Sequence, residues 1–329
     1  MIIAEIAQAH DGSLGILHSY IDALAATGVD AIKFQTHIAD AESSEYEPFR
    51  VKFSYEDATR YDYWKRMEFT PEQWAGIKQH CESKGLEFIS SPFSNKAVDL
   101  LEQLGVKRYK VGSGEITNHL LLHTIALTQK PVILSSGMST WQELDAAVEI
   151  FQSKKIAVSV LQCVSAYPAK PEQWGLHIIQ QLKQRYNIPV GYSDHSGDIF
   201  ACLAAAALGA EIFEFHAVFD KRMFGPDAAA SITIDDISRL TQGIREIKTA
   251  MQHKAEKNDA GIQQMKSIFE KSLAVNTYLP KGTVLERKHL EAKKPKGYGL
   301  DAAMYNSVLG KTLKVDKNQW DFLRAEDLD

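Results

Sequence analysis

The chain has 329 residues, 45% apolar and 24% charged, with a formal net charge of −5. That is the profile of a soluble globular protein, either one large domain with an appendage or two medium domains. No run approaches the roughly 18 to 20 uncharged apolar residues of a membrane span, and no basic run with interleaved aromatics suits nucleic acid, so neither is expected as a partner.

Cys81, Cys163 and Cys202 form no CxxC pair, which argues against a disulfide framework or a zinc knuckle. The opening MIIAEIAQAH has no basic start and already carries Glu5. It reads as a core strand rather than a signal peptide, and the cytoplasm is the expected compartment.

Along the chain, short runs rich in β-branched and aromatic residues recur at 2–7, 31–36, 87–91, 109–113, 131–136, 156–163, 188–194 and 212–219. Segments with helical periodicity lie between them, such as 14–28, 70–85 and 140–155, several entered by Ser, Thr or Pro and left through Gly. Eight βα units over residues 1–252 predict a (β/α)8 TIM barrel, with a doubly wound open sheet as the structural alternative. The stretch from His37 to Phe69 is too long for an ordinary βα loop and is rich in Tyr, Arg, Asp and Glu, which suits a lid over a barrel mouth. Residues 253–268 are polar and read as a linker. Residues 269–329 read as a small β-rich domain, in which 279–293 is loosely echoed by 315–328.

Barrel active sites lie at the C-terminal ends of the strands. Here those ends carry Glu5, Lys33, Gln35, Ser91, Lys110, Ser113, Glu115, Ser135, Tyr167, Ser193, His195, Glu214 and His216. Ser91, Ser136 and Ser196 also suit helix N-caps. Lysines inside apolar strands need an anion to face. Lys33 with Glu5 and Lys110 with Glu115 would satisfy that internally; a bound phosphate plus carboxylate, both carried by phosphoenolpyruvate, would satisfy it externally. His195 and His216 end adjacent strands, which suits either a divalent metal or a pair of core histidines.

Taken together, AEIAQAHDGS (4–13), IKFQTH (32–37), ISSPFS (89–94), YKVGSGE (109–115), ILSSGM (133–138), SAYP (165–168), GYSDHS (191–196), FGPDAAAS (224–231) and KKPKGYG (293–299) resemble the N-acetylneuraminate (sialic acid) synthase family, with its legionaminate, pseudaminate and spore-coat relatives. The resemblance implies a TIM barrel followed by an antifreeze-like (SAF) domain, in a domain-swapped homodimer. It implies condensation of phosphoenolpyruvate with a sugar aldehyde to a nonulosonic 2-keto acid, with phosphate leaving by C–O cleavage. By position, Lys33, Ser91, Lys110, Ser113, Ser135 and Ser193 would hold phosphoenolpyruvate. Glu5, Gln35, Tyr167, Asp227 and Lys294 would face the acceptor. Glu115 would act near the reacting carbons, with Lys33 and Lys110 neutralising charge, and His195 and His216 would hold a divalent metal, Mn2+ first, with Mg2+ or Co2+ as alternatives.

The chain departs from the family pattern at Ala9–Asp11, at Ser165, at Ala228 and at Lys294, where the family commonly shows Arg. Lys cannot reproduce a planar bidentate contact, so the acceptor is not expected to be plain N-acetylmannosamine. Three other readings stay open: a phosphoenolpyruvate-condensing synthase for a different keto acid, a Schiff-base aldolase using Lys33 or Lys110, and an inactive sugar-binding subunit.

Overall fold

A computed structural model describes residues 1–253 and 260–329; residues 254–259, within the expected linker, lie outside it. The chain divides into two compact units, Met1–Gln252 and His253–Asp329.

In the first unit, strands β1 (Ile2–Glu5), β2 (Ala31–Thr36), β3 (Glu87–Pro92), β4 (Tyr109–Val111), β5 (Val132–Ser135), β6 (Val158–Cys163), β7 (Val190–Asp194) and β8 (Phe213–Val218) pair in parallel, each with the next. β8 then pairs with β1, closing the barrel and excluding the open sheet. A ninth short strand, β9 (Ile232–Thr233), runs beside β8 and was not expected.

Helix α1 (Leu14–Ala25) follows β1. The β2–β3 connection holds α2 (Ala39–Glu42), α3 (Arg60–Met67) and α4 (Pro71–Ser83). Helices α5 (Asn95–Leu104), α6 (His119–Leu127), α7 (Trp141–Gln152), α8 (Ile178–Tyr186), α9 (Phe200–Ala207) and α10 (Ile234–Gln252) follow β3 to β8. Local chemistry sets several starts: Thr70 and Thr140 form capping boxes with Gln73 and Glu143, and Pro71 fills the first turn of α4.

The period-2 alternation of each strand sorts its residues into two cores. Outward positions such as Ile2, Ala4, Ile32, Phe34 and Phe88 pack against the helices. Inward positions begin with an apolar layer of Ile3, Ala31, Ile89, Ile133, Leu161 and Ile212. Two residues further along the same strands, the inward positions turn polar: Glu5, Lys33, Ser91, Ser135 and Glu214, all buried. The barrel interior is thus sealed by hydrocarbon at one end and lined with charge towards the other.

The second unit holds α11 (Ala260–Phe269), the antiparallel pair β10 (Ser272–Val275) and β11 (Leu290–Lys293), and α12 (Tyr305–Val308). Its core is Leu273, Val275, Leu279, Leu285, Val308, Leu313, Leu323 and Leu328. The loose sequence echo corresponds to a structural duplication. Leu279 and Lys317 exchange reciprocal backbone hydrogen bonds, and Gly282 N donating to Leu313 O is mirrored by Trp320 N donating to Val275 O. Gly282 and Trp320 occupy the same turn position with φ of 87° and 73°, the left-handed region that glycine adopts freely and tryptophan does not.

Gly191 gives the barrel interior a direct test. A Cβ there would lie 2.2 Å from Ile212 O and 2.5 Å from Leu161 Cδ2, with no flexible end to yield on the backbone side. Gly191→Ala is expected to destabilise by about 1–3 kcal/mol or more through overpacking. Gly76→Ala, on the exposed face of α4 with open space around it, is expected to stabilise by roughly 0.5–1 kcal/mol. Thermal and urea unfolding of both variants checks the pair.

Candidate active site

The polar layer of the barrel interior forms a closed lattice of charge. Register places Glu5 beside Lys33 on one side and beside His216 on the other. Lys33 Nζ donates to Glu5 Oε1 at 2.5 Å and lies 3.4 Å from Ser91 Oγ and 3.8 Å from Glu214 Oε1. Lys110 Nζ sits 3.1 Å from the same Glu214 oxygen, which also accepts from Ser193 Oγ at 3.0 Å. At Glu5 the neighbours outweigh burial: burial would raise the carboxyl, but Lys33 and His216 hold it well below the usual carboxylate range. Lys33 is held above its usual value by Glu214 and Glu5 despite its desolvation.

Two buried atoms in this lattice have no hydrogen-bond partner, Ser135 Oγ and Glu214 Oε2. Such orphans are costly unless a ligand or water completes them. They line a small chamber of about 60 Å3 together with Lys33, Lys110, Ser91 and Ser193.

Above the lattice lie the two histidines, with ring centroids 5.2 Å apart. His195 Nδ1 lies 2.7 Å from the Val164 carbonyl, which can only accept, so the ring proton sits on Nδ1 and Nε2 keeps its lone pair. That Nε2 lies 3.2 Å from the Tyr167 hydroxyl, and burial pushes the ring's pKa down to about 4, leaving the imidazole neutral. His216 Nε2 lies 3.3 Å from Glu5 Oε2.

Two imidazoles at the edge of this charged chamber are nitrogen donors of a kind that suits a divalent ion. Among the described residues no group of three or more His, Cys, Asp or Glu side chains is arranged to hold a metal, so an ion on these two histidines would take its remaining ligands from water and substrate.

A second, wider chamber of about 390 Å3 opens above, sharing Gln35, Phe93, Gly112, Ser113, Tyr167 and His216 with the first. Its far wall comes from the long β2–β3 connection. There α2, α3 and their flanks fold on a small apolar cluster of Ala39, Tyr63, Trp64 and Met67. His37 is stacked between Trp64 and Phe93, its Nδ1 2.6 Å from Glu42 Oε1 and its Nε2 3.1 Å from Gln35 Oε1. Gln35 Nε2 in turn donates to Glu5 Oε1 at 2.7 Å, so the lid segment is hydrogen-bonded through to the charge lattice. On the other wall, burial raises the Glu115 carboxyl above its ordinary value, against a hydrogen bond from Asn118.

A model of the NeuB family matches residues 20–256. The chain is 32% identical to the N,N'-diacetyllegionaminic acid synthase of Campylobacter jejuni subsp. jejuni serotype O:2 over 98% of both chains. It is 31% identical to a pseudaminic acid synthase of Campylobacter jejuni serotype O:23/36, over 99% of this chain and 96% of that one. The chain belongs to the NeuB family. A solved N-acetylneuraminic acid synthetase from Leptospira borgpetersenii serovar Hardjo-bovis superposes with a TM-score of 0.71 at 32% identity, covering 80% of this chain and 89% of that one. Like these NeuB-family relatives, the protein is an enzyme of the sugar-acid synthase kind. No described helix is long and apolar enough to cross a membrane.

The NeuB-type residues expected from the sequence fall in three groups. Lys33, Ser91, Lys110, Ser113, Ser135, Ser193, Glu5, Gln35, Tyr167, His195 and His216 all line the deeper chamber, and Glu115 and Asp227 line the wider one. Lys294 lies in the second unit, its ammonium 4.8 Å above the Phe269 ring. The internal partner of Lys110 is Glu214, not Glu115, and α5 is capped by Ser94 rather than Ser91, which faces Lys33. Gln8, His37, Glu42, Glu47, Arg50, Arg60 and Phe93 also line the wider chamber and were not singled out as site residues. Gln8, His37 and Phe93 sit just past β1, β2 and β3, positions the strand-end rule covers; Glu42, Glu47, Arg50 and Arg60 depend on how the lid folds.

His10, buried past the end of β1, supplies a pH test. Burial pushes its pKa down to about 3, and its Nδ1 accepts from Gly12 N at 3.0 Å. A folded value below the unfolded value of about 6.5 means the unfolded chain binds more protons across that window. The contribution is intact above pH 6.5 and is lost as pH falls towards 3, by about 2 kcal/mol between pH 7 and 5. His10→Asn, whose side-chain oxygen can still accept from Gly12, is expected to flatten the acid limb of the stability curve in denaturant titrations.

Proposed function

We propose that the protein condenses phosphoenolpyruvate with the open-chain aldehyde of a modified hexose, giving a nonulosonic 2-keto acid and inorganic phosphate. The observation that carries this reading is the pairing of two buried ammonium groups, Lys33 and Lys110, with the unpartnered Ser135 hydroxyl in one chamber. Two cations and the hydroxyls of Ser91, Ser135 and Ser193 suit a donor with a phosphate and a carboxylate. Glu214 Oε2, an acceptor without a donor, suits a protonated phosphate oxygen. The similarity to a legionaminic and a pseudaminic acid synthase points the same way.

In this reading the donor lies in the deeper chamber and the acceptor in the wider one, with its aldehyde near His195, His216 and Tyr167. C3 of phosphoenolpyruvate forms the bond to the aldehyde carbon, whose oxygen takes up a proton. The cationic C2 adds water, Glu115 taking the water's proton, a role suited to a carboxyl raised by burial. The C2–O bond to phosphate then breaks, leaving the 2-keto acid. Lys33 and Lys110 balance charge throughout and form no covalent bond. A divalent metal, Mn2+ ahead of Mg2+ or Co2+, would be held by His195 and His216 and would supply Lewis-acid polarisation of the aldehyde. A homodimer in which the second unit, read as an antifreeze-like domain, brings Lys294 to a partner's acceptor belongs to the same proposal and rests on the family resemblance alone.

A Schiff-base aldolase on Lys33 is disfavoured by the charge of that residue, which two carboxylates hold protonated, whereas a nucleophilic lysine needs a depressed pKa. Phosphate release from phosphoenolpyruvate with a panel of hexoses, acetamido hexoses and diacetamido hexoses tests the proposal. Release that requires both substrates supports it, and sensitivity to chelation supports the metal. No release with any sugar, or trapping of a pyruvate adduct by borohydride, overturns it. Lys33→Ala and Lys110→Ala are each expected to weaken phosphoenolpyruvate use by roughly 2–5 kcal/mol and acceptor use far less. Unchanged donor kinetics with lowered stability would make both lysines structural partners instead.

A further inference from the structure

Outside the barrel interior, past the C-terminal ends of β5 and β6 and beside helices α7 and α8, lies a separate cavity of about 270 Å3. Gln162 lines it, and the alternation of β6 makes that residue conspicuous. Leu161 and Cys163 face the barrel interior, so Gln162 points outward, where Val158 and Val160 pack against the helices. Two other buried polar residues at outward positions, Thr36 and Ser90, satisfy each other at 2.7 Å. Gln162 has no such partner. Its Nε2 donates to the Trp174 carbonyl at 3.4 Å, which fixes the orientation of the amide, and its Oε1 lies 3.4 Å from Ser136 Oγ. A serine hydroxyl carries one proton, and the Leu161 carbonyl accepts it at the shorter distance of 3.1 Å. The Gln162 amide, on a residue 3% exposed, therefore keeps an acceptor and an N–H without partners among the described residues. In the same cavity Ser139 Oγ is buried with no hydrogen-bond partner.

The chemistry of the walls limits what can complete these groups. No residue lining the cavity carries a charged side chain, so an ion would lose its water there without meeting a counter-charge. The start of α7 does not compensate for an anion, because Thr140 and Glu143 already cap it and Glu143 brings a negative charge of its own. Trp141, Leu144, Val164, Ile178 and Leu182 supply apolar surface. A neutral ring suits that surface, and an amide, with its carbonyl and N–H side by side, matches the donor and acceptor left open on Gln162.

The β5–α7 loop joins the cavity to the active site. Ser136, Gly137, Ser139 and Thr140 line the cavity, while Ser135, one residue earlier, lines the deeper chamber with its unpartnered hydroxyl. Cys163 lines both spaces, and a Cβ at Gly137 would lie only 3.0 Å from its Sγ, so the loop rests directly on the shared wall. A ligand bonded to Gln162 and Ser139 would hold the loop in the position that presents Ser135. We propose that this cavity is a second ligand site, for a small neutral ring compound bearing an amide, and that its occupancy tightens phosphoenolpyruvate binding through the β5–α7 loop. The site rests on its own geometry; the tightening rests on the phosphoenolpyruvate-condensing reading.

The test has two arms. In the first, nicotinamide and 2-pyrrolidone are titrated in ligand-observed NMR, with nicotinate as the anionic counterpart, against wild type, Gln162→Leu and Ile178→Trp. The first variant removes the amide edge, the second fills the cavity, and melting temperatures control for folding. The neutral amides are expected to bind wild type with Kd of about 1–10 mM, the range for ligands this small, nicotinate at least fivefold more weakly, and binding is expected to be lost in both variants. No binding of either amide, nicotinate binding as tightly as nicotinamide, or binding that survives both variants overturns the site. In the second arm, calorimetry measures the Kd of wild type for phosphoenolpyruvate with and without saturating nicotinamide. It is expected to fall about fivefold, the low end of ordinary coupling between sites. An unchanged or raised Kd overturns the tightening and leaves the site in place, and no phosphoenolpyruvate binding under either condition overturns the tightening together with the condensing reading.

Discussion

Glu5, Lys33, Lys110 and Glu214 place two positive and two negative charges inside a barrel whose next layer down is aliphatic. Each charge alone would be expensive at that depth, and each is tolerable because an opposite charge faces it, Lys33 from the strand beside Glu5 and Glu214 from across the barrel to Lys110. The lattice therefore depends on barrel closure: Glu5 meets Lys33 across β1 and β2, and His216 across β1 and β8. It is also incomplete. Ser135 Oγ and Glu214 Oε2 are buried without partners, and an unfinished polar network is what a site for a small, highly charged donor looks like before the donor arrives.

From that lattice the site extends outward in steps of decreasing constraint. The histidines and Gln35 are held by hydrogen bonds to main chain or to Glu5, and Tyr167 by its contact with His195. The wider chamber above is built half from the lid, whose own apolar cluster is small. Under the proposed function, donor recognition would reside in the barrel and acceptor recognition in a segment that can vary without disturbing it. Arg50 and Arg60 both belong to that segment, as do Glu42 and Glu47.

The inward residues of the barrel were legible in the sequence because two periodicities coincide there. Strand alternation says which residues face inward, and the rule that barrel sites lie at strand C-termini says which of those matter. Lysines at inward positions of apolar strands stood out for the cost of burying them. What the sequence hid was pairing: Lys110 and Glu115 are near neighbours in sequence, yet Glu214 arrives from β8 across the barrel, a contact that only closure creates. The lid was legible as a long, aromatic and charged insertion, but which of its arginines would face the chamber depends on the packing of Tyr63, Trp64 and Met67, which no local pattern encodes. The duplication in the second unit showed only as a faint echo, since Gly282 and Trp320 share a backbone conformation without sharing a side chain.

The central claim is that phosphoenolpyruvate attacks the acceptor aldehyde through its C3 carbon and loses phosphate from C2 by C–O cleavage. Phosphoenolpyruvate labelled with 18O at the bridging oxygen, incubated with the enzyme and the acceptor it turns over, measures this directly by mass spectrometry of both products. The account predicts that the label leaves with inorganic phosphate and that the 2-keto acid takes its C2 oxygen from water. Label retained at C2 of the keto acid would place the cleavage at phosphorus and contradict the account.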